Sequence, residues 1–402
     1  MVTFLPGRPG RLADVPSFDR AIGGAESNVV CALAAFGHPA RWVSRVGADG
    51  FGDHLVERIG GYGVDVSAVR RDPARPTGVY FRTAGDRGTG AHEVAYYRAG
   101  SAASAMSARN TDLAAVRAGR VLHLSGITAA LSAECLELLR ELTAPAPARP
   151  LVSFDVNHRP GLWRDIGGGG VLLELARGAD VVFVGEDEAA EAWGISGGPH
   201  AIREALPEPG LLVVKQGAQG ATAFAHRPGT PPEAATPARD GHGTAIAVPA
   251  PDADAAAIAV PAPDADAAAT TVPALDADAA AIAVPALDAD AAATTVPALD
   301  ADAAATTVPA LHVDVVATTG AGDAFAAGFL SATLRGLPLR DRLRHGHLFA
   351  AAALTTPGDL AAPPSRHHAD RLAALDDDAW GRLRLGPGWT QAEQAVEEAN
   401  TP

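Results

Sequence analysis

The chain has 402 residues and a formal charge of −15, and 48% of its residues are hydrophobic. This length suits one large α/β domain or two smaller ones, with a substantial core. Ten aspartates and no lysine or arginine lie between positions 245 and 311, so that segment supplies −10 and the remainder about −5. No basic cluster with interleaved aromatic residues is present, which argues against nucleic acid as a partner.

Nothing in the sequence indicates secretion or membrane insertion. Residues 1–8 contain too short an apolar run for a signal peptide, and no uncharged apolar run reaches the length of about 18 residues that a membrane span needs. Cys31 and Cys135 are far apart and lack metal-ligand spacing, which suits a reducing compartment. We therefore expect a soluble cytoplasmic protein without a membrane partner.

Predicted helices and strands alternate along the first half of the chain. The segment Gly23–Asn28 opens a helix that ends at Phe36, and a strand at 41–47 precedes a second helix at 49–60. Further strands are predicted at 121–126, 151–157, 180–184 and 211–215, with a helix at 132–143. This alternation predicts a parallel sheet covered by helices. Asn28, in the first turns of its helix, is either a capping or surface amide or a contact to a ligand hydroxyl.

Two apolar and aromatic runs, Thr77–Arg82 and Glu93–Arg98, predict a hairpin joined by a glycine-rich loop. Three of the four tyrosines in the chain, Tyr80, Tyr96 and Tyr97, lie in these runs. An aromatic hairpin that projects from an α/β core can cover a small polar ligand as a lid. The alternative is that these are ordinary strand aromatics, which favour such positions.

Polar groups gather at the ends of the later strands. Asp155, Asn157, His158 and Arg159 follow a predicted core strand, and ligands of open α/β sheets bind at such carboxyl ends. The acidic run 186–188 opens a helix, where acid is either structural or a carboxylate that faces Mg²⁺.

The only lysine of the chain, Lys215, lies where a strand runs into a turn that contains Gly217 and Gly220. Such a turn lets the backbone approach a ligand closely.

A tandem repeat interrupts the α/β pattern. Six copies of a 12-residue unit, of the type AIAVPAPDADAA or ATTVPALDADAA, run from Ala245 to Val316. The last copy, 305–316, has diverged and is interpreted as a native strand from which the other five were duplicated. Proline in every unit excludes one long helix, and although short strands or a solenoid are conceivable, large apolar residues are too few for a packed core. We predict that 245–304 is a flexible acidic insertion.

The stretch 318–323, Thr-Thr-Gly-Ala-Gly-Asp, leads into a predicted helix at 324–335. A glycine turn at a helix start collects free backbone N–H groups at the positive end of the helix dipole, which forms an anion site. Asp323 at the same place could accept a proton from a hydroxyl. The combination indicates phosphoryl transfer to an alcohol; the alternative is a plain N-cap in which Asp323 binds an orphan amide. A further helix is predicted at 339–356, and the tail from 363 to 402 is predicted to be peripheral.

The ordered set of motifs resembles the PfkB (ribokinase-like) family of carbohydrate kinases, most closely its 2-keto-3-deoxygluconate kinases. The residues that carry the resemblance are Gly23–Asn28, Thr77–Tyr80, Tyr96–Arg98, Asp155–Arg159 with Leu162 and Trp163, Lys215–Gly217 with Gly220, and Thr318–Asp323. It implies a kinase domain over 1–362 with a three-layer α/β/α sandwich, a mostly parallel central sheet and a small β lid from about 5–22 and 75–100.

The activity that the resemblance implies is ATP-dependent phosphorylation of a sugar or sugar acid, with 2-keto-3-deoxygluconate and its 6-phosphate as the closest match. The alternatives are a kinase for fructose, ribose or 5-dehydro-2-deoxygluconate, or a catalytically impaired sugar-binding homologue. A homodimer through the lid is a further expectation, and ATP and Mg²⁺ are the implied cofactors.

The resemblance also implies roles for individual residues. Asp323 would be the catalytic base, and the amides of Gly320, Ala321 and Gly322 would form the anion hole for the transferred phosphoryl group. The implied substrate-binding residues are Gly24, Asn28, Tyr80, Tyr96, Arg98, Asn157 and Arg159. The implied nucleotide-binding residues are Lys215, Gly217, Gly220, Thr319 and His347. Glu188 would act on Mg²⁺ through water.

Three departures from the family pattern stand out. Ala317 replaces an aspartate that helps frame a monovalent-cation site in relatives, which leaves potassium activation in question. The segment 185–188 keeps only the glutamate of the family's Asn-x-x-Glu motif. Relatives also begin with a full strand upstream of the match to Met1–Phe4, so the resemblance implies that this sequence starts inside that strand.

Overall fold

The computed structural model describes residues 1–83, 93–147, 149–163, 167–225, 281–285 and 305–391. The strands in chain order are β1 (Val2–Pro6), β2 (Phe18–Ile22), β3 (Arg41–Val43), β4 (Arg45–Gly47), β5 (Arg70–Asp72), β6 (Val79–Arg82), β7 (Val94–Tyr97), β8 (Gly119–Ser125), β9 (Leu151–Asp155), β10 (Val181–Gly185), β11 (Leu211–Lys215), β12 (Ala221–Ala225), β13 (Ala281–Pro285), β14 (Thr306–Val308), β15 (His312–Val313) and β16 (Arg384–Leu385). The helices are α1 (Ala25–Ala35), α2 (Gly50–Gly60), α3 (Leu113–Arg117), α4 (Gly126–Ala129), α5 (Ala133–Thr143), α6 (Gly168–Arg177), α7 (Glu186–Trp193), α8 (Gly198–Ala205), α9 (Ala321–Leu334), α10 (Leu339–Leu354), α11 (Arg366–Ala373) and α12 (Asp377–Arg382).

Apolar residues that alternate along the central strands build a core on each face of the sheet. In β10, Val181 and Phe183 join the core on one face, whereas Val182 and Val184 join the core on the other. Successive side chains of a strand point to opposite faces, so an unbroken apolar run is buried on both sides. Helices α1, α2, α9 and α10 cover the first face, and α5, α6, α7 and α8 cover the second. The predicted three-layer α/β/α sandwich is confirmed.

The central sheet has the strand order β14-β12-β11-β10-β9-β8-β13-β3. Neighbours from β8 to β11 pair in parallel, whereas β12 and β13 are antiparallel to both of their neighbours. Six of the eight strands therefore run in one direction, and their carboxyl ends meet at one edge. None of the helices in the described part of the chain is long and apolar enough to cross a membrane.

A second, four-stranded sheet of order β2-β1-β6-β7 forms the region predicted as the lid. The predicted hairpin is present as the antiparallel pair β6–β7, with Tyr80 opposite Tyr96. Strand β1 pairs in parallel with β6 and antiparallel with β2. The N-terminal residues thus belong to this lid sheet.

The structure differs from the prediction of a peripheral tail from 363 to 402. Helix α12 buries Trp380 completely, and the indole N–H donates to the Pro309 carbonyl at 3.0 Å. The Arg344 guanidinium lies 4.5 Å from the Trp380 ring centroid. Buried side chains as far along the chain as Trp389 therefore belong to the core, and 392–402 lie outside the described residues. The sequence pattern did not indicate this burial, because a short polar helix has few apolar residues and only tertiary packing determines which of them are buried.

Five residues of the predicted flexible insertion form a strand. Ala281–Pro285 is β13, which lies inside the central sheet between β8 and β3. The last repeat copy supplies β14 at the opposite edge, as its interpretation as a native strand requires. The structure describes 281–285 as a strand, whereas the rest of 245–304 falls outside the described residues, and the flexibility of the insertion stays a prediction.

We predict that Trp380→Ala lowers the free energy of unfolding by about 3–5 kcal/mol, because it empties a fully buried site and removes a hydrogen bond. Denaturant unfolding followed by circular dichroism measures the change. Arg384→Ala, at an exposed neighbouring position, is the control and should change stability by about 0.5 kcal/mol or less. If Trp380→Ala and the wild type were equally stable, the result would support the prediction of a peripheral tail.

Candidate active site

A cavity of about 370 Å³ lies at the carboxyl ends of the parallel strands, between the central sheet and the lid. This edge is where open α/β sheets bind ligands. Of the predicted site residues, the structure brings these to the cavity wall: Gly24, Asn28, Tyr80, Tyr96, Arg98, Asn157, Arg159, Glu188, Lys215, Thr319, Gly320, Gly322 and Asp323.

The start of α9 forms the floor of the cavity. Gly320 precedes the helix with φ of +79°, a left-handed conformation that favours glycine, and a Cβ there would lie 2.1 Å from the Asp359 carbonyl oxygen. Helix α9 begins at Ala321, three residues earlier than predicted, so Asp323 lies in its first turn. The first N–H groups of a helix lack partners within the helix, so this end can bind an anion.

Asp323 is held by a residue from another helix. The side-chain amide of Asn28, on α1, donates to Asp323 Oδ2 at 2.8 Å. Burial raises the pKa of Asp323 to about 7, and the Asn28 hydrogen bond opposes the rise. A carboxyl group with this pKa can accept a proton near neutral pH, which suits a general base.

Lys215 and Asp155 form an ion pair beside the helix start. Lys215 Nζ lies 3.1 and 3.3 Å from the two carboxylate oxygens of Asp155, and 3.6 Å from where a Cβ of Gly322 would be. Burial alone lowers the pKa of the ammonium, but nearby carboxylates, chiefly Asp155, outweigh it and hold the pKa above its ordinary value. A fixed positive charge therefore stands next to the anion site.

Asn157 carries a backbone conformation that L residues rarely adopt. Its φ is +41°, and it is the only non-glycine residue with positive φ in the described ranges. Its Oδ1 atom is buried without a hydrogen-bond partner within the described part of the structure, and so is Oδ1 of Asn28. Buried acceptors normally have partners, and strained backbone concentrates at functional sites, so both atoms are candidates for contact with a ligand.

Arg159 and Glu188 line the cavity on the side of α7. Arg159 Nη1 lies 3.6 Å from Glu188 Oε1, and Glu188 Oε2 accepts from the Gly185 backbone N–H at 2.7 Å. Glu188 thus caps its own helix while it faces the cavity. No group of three or more His, Cys, Asp or Glu side chains that could hold a metal ion occurs among the residues described. Glu188 is thus a carboxylate at the cavity wall, and its action on Mg²⁺ stays a prediction.

The lid contributes the opposite wall. The Tyr80 and Tyr96 rings lie 5.4 Å apart, and the Arg98 guanidinium lies 4.1 Å from the Tyr96 ring centroid. Arg98 is buried. Stacking holds the guanidinium plane in one orientation, which suits the two-point recognition of a carboxylate.

The cavity wall contains a buried ion pair, Arg82 with Asp359, that the sequence did not predict. Arg82 Nη2 lies 2.9 Å from Asp359 Oδ1, and the two side chains are 7% and 3% exposed. Tyr80 also donates to Asp359, and Arg82 donates to Thr319 Oγ1 at 3.2 Å. The pair therefore ties the lid to the loop after α10 and to the helix start. An arginine at the end of an apolar strand was the only local signal.

Three residues predicted to contact the nucleotide do not line this cavity, and their role stays a prediction. His347 is buried, approaches the Val308 carbonyl at 3.3 Å and packs edge-on against Phe325, so it is a core residue. A Cβ at Gly220 would lie 2.2 Å from the Val308 carbonyl, so the chain itself requires glycine here, and a nucleotide contact at this position stays a prediction. Gly217, with φ of +56°, has open space around it but does not line the cavity.

Ala321 supplies a helix-start amide without lining the cavity. Asp155, in contrast, lines the cavity although the resemblance assigned it no role.

The fold and site together define a small-molecule kinase architecture. A protein-family model described as "pfkB family carbohydrate kinase" matches residues 2–243 and 265–366, which is more than half of the chain. The chain belongs to the pfkB family of carbohydrate kinases.

Curated relatives include two 2-dehydro-3-deoxygluconokinases. The one from Thermoproteus tenax is 35% identical over 220 residues, or 54% of this chain and 66% of the relative. The one from Bacillus subtilis is 36% identical over 167 residues, or 41% of this chain and 51% of the relative. A fructokinase from Zea mays is 30% identical over 229 residues, or 56% of this chain and 70% of the relative. The match thus spans just under two thirds of the first relative and about half of the second.

Solved structures share the fold. A PfkB protein from a Polaromonas species has a TM-score of 0.65 at 26% identity, over 93% of this chain and 97% of that one. A structure from E. coli, described as ribokinase II in complex with ATP and Mg²⁺, has a TM-score of 0.65 at 18% identity, over 92% of this chain and 95% of that one. Likeness at the latter identity shows the fold alone.

Proposed function

We propose that the protein phosphorylates a hydroxyl group of a sugar acid with ATP. The observation that carries this proposal is Asp323, a carboxyl with a pKa of about 7, in the first turn of a helix whose free amides face the same cavity. A base and an anion site within one helical turn are what transfer of a phosphoryl group to an alcohol requires. The family membership and the kinase relatives support the same class of reaction.

In this proposal Asp323 accepts the proton of the attacked hydroxyl, and Asn28 orients its carboxylate. The amides of Gly320, Ala321 and Gly322, together with Lys215, stabilise negative charge on the transferred group. ATP supplies the phosphoryl group, and Mg²⁺ neutralises phosphate charge when both are bound. Asn157 and Arg159 line the same cavity, and in this proposal they contact both sugar and phosphates.

The lid supports an acid as the substrate. Arg98 is fixed against Tyr96, and its planar guanidinium can bind a carboxylate through two hydrogen bonds. Asp359 and Tyr80 in the same wall can exchange hydrogen bonds with sugar hydroxyls. Together with the relatives named as 2-dehydro-3-deoxygluconokinases, these groups favour 2-keto-3-deoxygluconate, phosphorylated at its 6-hydroxyl. Fructose is the second candidate, because a fructokinase is also among the relatives.

A panel of sugars and sugar acids assayed with ATP and Mg²⁺ tests the function directly. Turnover of 2-keto-3-deoxygluconate that exceeds turnover of fructose is expected. The opposite preference would contradict the proposed substrate but leave the proposed kinase activity standing. Binding of a sugar without consumption of ATP would instead identify a catalytically impaired homologue.

Asp323→Asn is predicted to lower kcat by about 10²–10⁴-fold while the Kd for ATP stays near the wild-type value, because only the base is lost. Burial raises the pKa of Asp323, so its ionised form opposes folding above the unfolded-state pKa. The neutral variant should therefore keep or raise the Tm at pH 8. Asp187→Asn, an exposed acid of α7, is the control. Wild-type turnover by Asp323→Asn would exclude this base.

The dependence of kcat on pH should show an acidic limb, a rise in kcat with increasing pH that reflects the ionisation of Asp323. The base is protonated and inactive below its pKa of about 7, so kcat rises as the pH passes through that value. Asn28→Ala removes a hydrogen bond to the charged carboxylate, which raises the pKa further and moves the limb to higher pH. An unchanged or lowered limb in this variant would contradict the assignment.

Arg98→Gln is predicted to lower kcat/KM for 2-keto-3-deoxygluconate by about 10–100-fold, the range for one charged hydrogen-bond partner. The same variant should change kcat/KM for fructose little, since that sugar lacks a carboxylate. Arg75→Gln, an exposed arginine near the lid, serves as the matched control. Equal losses on both substrates would show that Arg98 does not select the acid.

The lid also supports a homodimer. Tyr80 and Arg82 of β6 face the cavity, so Phe81 faces away, where it stacks on Phe4 at 4.6 Å beside Tyr97, which is 60% exposed. Exposed aromatic patches mark interfaces. Tyr97→Glu is predicted to convert dimer to monomer in light scattering, and Arg117→Glu, outside the lid, is the control. A monomeric wild type would contradict this assignment.

A further inference from the structure

Asp155 is a buried carboxylate in the cavity wall. It is the last residue of β9, and its side chain is 4% exposed. Its partner is Lys215, the last residue of β11 and the only lysine in the sequence. A buried ion pair contributes little to stability on average, because the cost of desolvation can exceed the attraction between the charges. A pair of this kind in a cavity wall therefore points to a role in the site.

The two side chains meet across an intervening strand. Strand β10 lies between β9 and β11. Asp155 is in register with Phe183 of β10, and Lys215 is in register with Gly185 at the end of the same strand. The partners are two strand spacings apart, roughly 10 Å, which the long lysine side chain bridges. The Phe183 ring packs edge-on against Phe329 of α9, so the strand register delivers both charges to the face that this helix covers.

Three carboxylates surround the Lys215 ammonium. Burial lowers the pKa of this group, but Asp155, Glu188 and Asp323 together hold it above its ordinary value, and Asp155 contributes most. The hydrogen bonds of Nζ in the described structure go to Asp155, at 3.1 and 3.3 Å. Asp323 instead accepts from Asn28 at 2.8 Å. The pairing with Asp155 thus keeps the ammonium off the carboxylate that is proposed as the base.

A neighbouring histidine does not compete for Asp155. His123 of β8 shares a hydrogen bond of 2.9 Å between its Nδ1 and Oγ of Ser153, two residues before Asp155 on β9. Burial lowers the pKa of His123 to about 4, so the ring is neutral at pH 7. Lys215 is therefore the cation that balances Asp155 at neutral pH.

The paired ammonium lies at the start of α9. A Cβ on Gly322 would be 3.6 Å from Lys215 Nζ, and Gly322 belongs to the first turn, whose N–H groups lack partners within the helix. Positive charge beside such N–H groups strengthens an anion site. An anchored ammonium also needs no reorganisation when negative charge develops during a reaction.

We propose that Asp155 is a positioning residue: it anchors the Lys215 ammonium beside the start of α9, where the ammonium faces the transferred phosphoryl group, and it keeps the ammonium from pairing with Asp323. The inference rests on the proposed function, because the phosphoryl group belongs to that reaction. Without Asp155 the ammonium turns to Asp323, which then becomes a weaker and partly blocked base. The ion pair thus allows a base and a positive charge to share one end of a helix.

The variants Asp155→Asn and Lys215→Met and their combination test this role without reference to turnover. The pKa of Asp323 is followed by ¹³C NMR of labelled aspartate, and its resonance is identified by its absence from Asp323→Asn. Burial raises this pKa most; Asn28, Arg159 and Lys215 lower it, whereas Asp155 raises it. We therefore expect Asp155→Asn to lower the pKa, Lys215→Met to raise it, and the double variant to return it close to the wild-type value. An unchanged or raised pKa in Asp155→Asn would overturn the proposal.

Asp180→Asn is the matched control. Asp180 forms an ion pair of 2.7 Å with Arg149 and accepts from the Val152 N–H, near the amino end of β9 and therefore away from the cavity. This variant should leave both the pKa of Asp323 and kcat at their wild-type values. A pKa shift as large as that in Asp155→Asn would show a general effect of removing acidic charge and would also overturn the proposal.

Turnover provides a second readout, measured as kcat on the plateau above the acidic limb. Lys215→Met should lower kcat by about 10²–10³-fold. Asp155→Asn should lower it by about 10–100-fold, because a misplaced catalytic group costs up to about 10²-fold. In the Lys215→Met background the same change should cost no more than about two- to threefold, since the group that Asp155 positions is absent. An equal loss in both backgrounds would overturn the proposal.

Failure of the proposed function would look different. A wild type that phosphorylates no sugar would reject the kinase proposal, and the NMR titration would still decide whether Asp155 holds Lys215 away from Asp323.

Stability provides a third readout. Each single variant leaves one buried charge without its partner, which is strongly destabilising, whereas the double variant removes both charges and keeps both side-chain shapes. The Tm of the double variant should therefore exceed the Tm of Asp155→Asn and of Lys215→Met. A double variant that is less stable than both would show that the two charges do not support each other and would overturn the proposal.

Discussion

The hydrogen bond from Asn28 to Asp323 joins the first turns of two helices that are 295 residues apart in the sequence. It can form only because α1 and α9 pack side by side over one face of the sheet and both begin at the cavity. Gly320 lets the loop after α10 lie against the start of α9, since any side chain there would collide with the Asp359 backbone. The raised pKa of Asp323 follows from the same packing, which withdraws the carboxyl group from water.

Charges in the cavity wall occur mainly in pairs drawn from different elements. Lys215 of β11 meets Asp155 of β9, and Arg82 of the lid meets Asp359 of the loop after α10. Removing one partner of such a buried pair leaves an uncompensated charge, so each pair holds its two elements together as well as shaping the site. The lid is consequently tied to the body by the same groups that would contact a substrate.

The repeat shows how low sequence complexity can coexist with a specific structural role. Most of a 12-residue unit is alanine, proline and aspartate, which cannot build a core of its own. A strand, however, needs only five residues with backbone groups to pair, when neighbouring strands already supply the buried surface. In this protein the surroundings, and not the segment, determine that Ala281–Pro285 is a strand.

The sequence by itself determined the alternation of helices and strands, the aromatic lid hairpin and the position of Asp323 at a helix start. These features depend on local signals such as strand periodicity, glycine turns and apolar helix faces, which act over a few residues. Most of the predicted site residues also reach the cavity, because strand ends and helix starts of this fold meet at one edge.

Only the tertiary structure decided which distant segments meet. It pairs Arg82 with Asp359, buries His347 beneath Val308, turns Gly220 against the chain and packs the C-terminal helices around Trp380. It also inserts a repeat unit into the central sheet. Local patterns carry no information about such partners, because the contacts arise between residues that are far apart along the chain and adjacent only after folding.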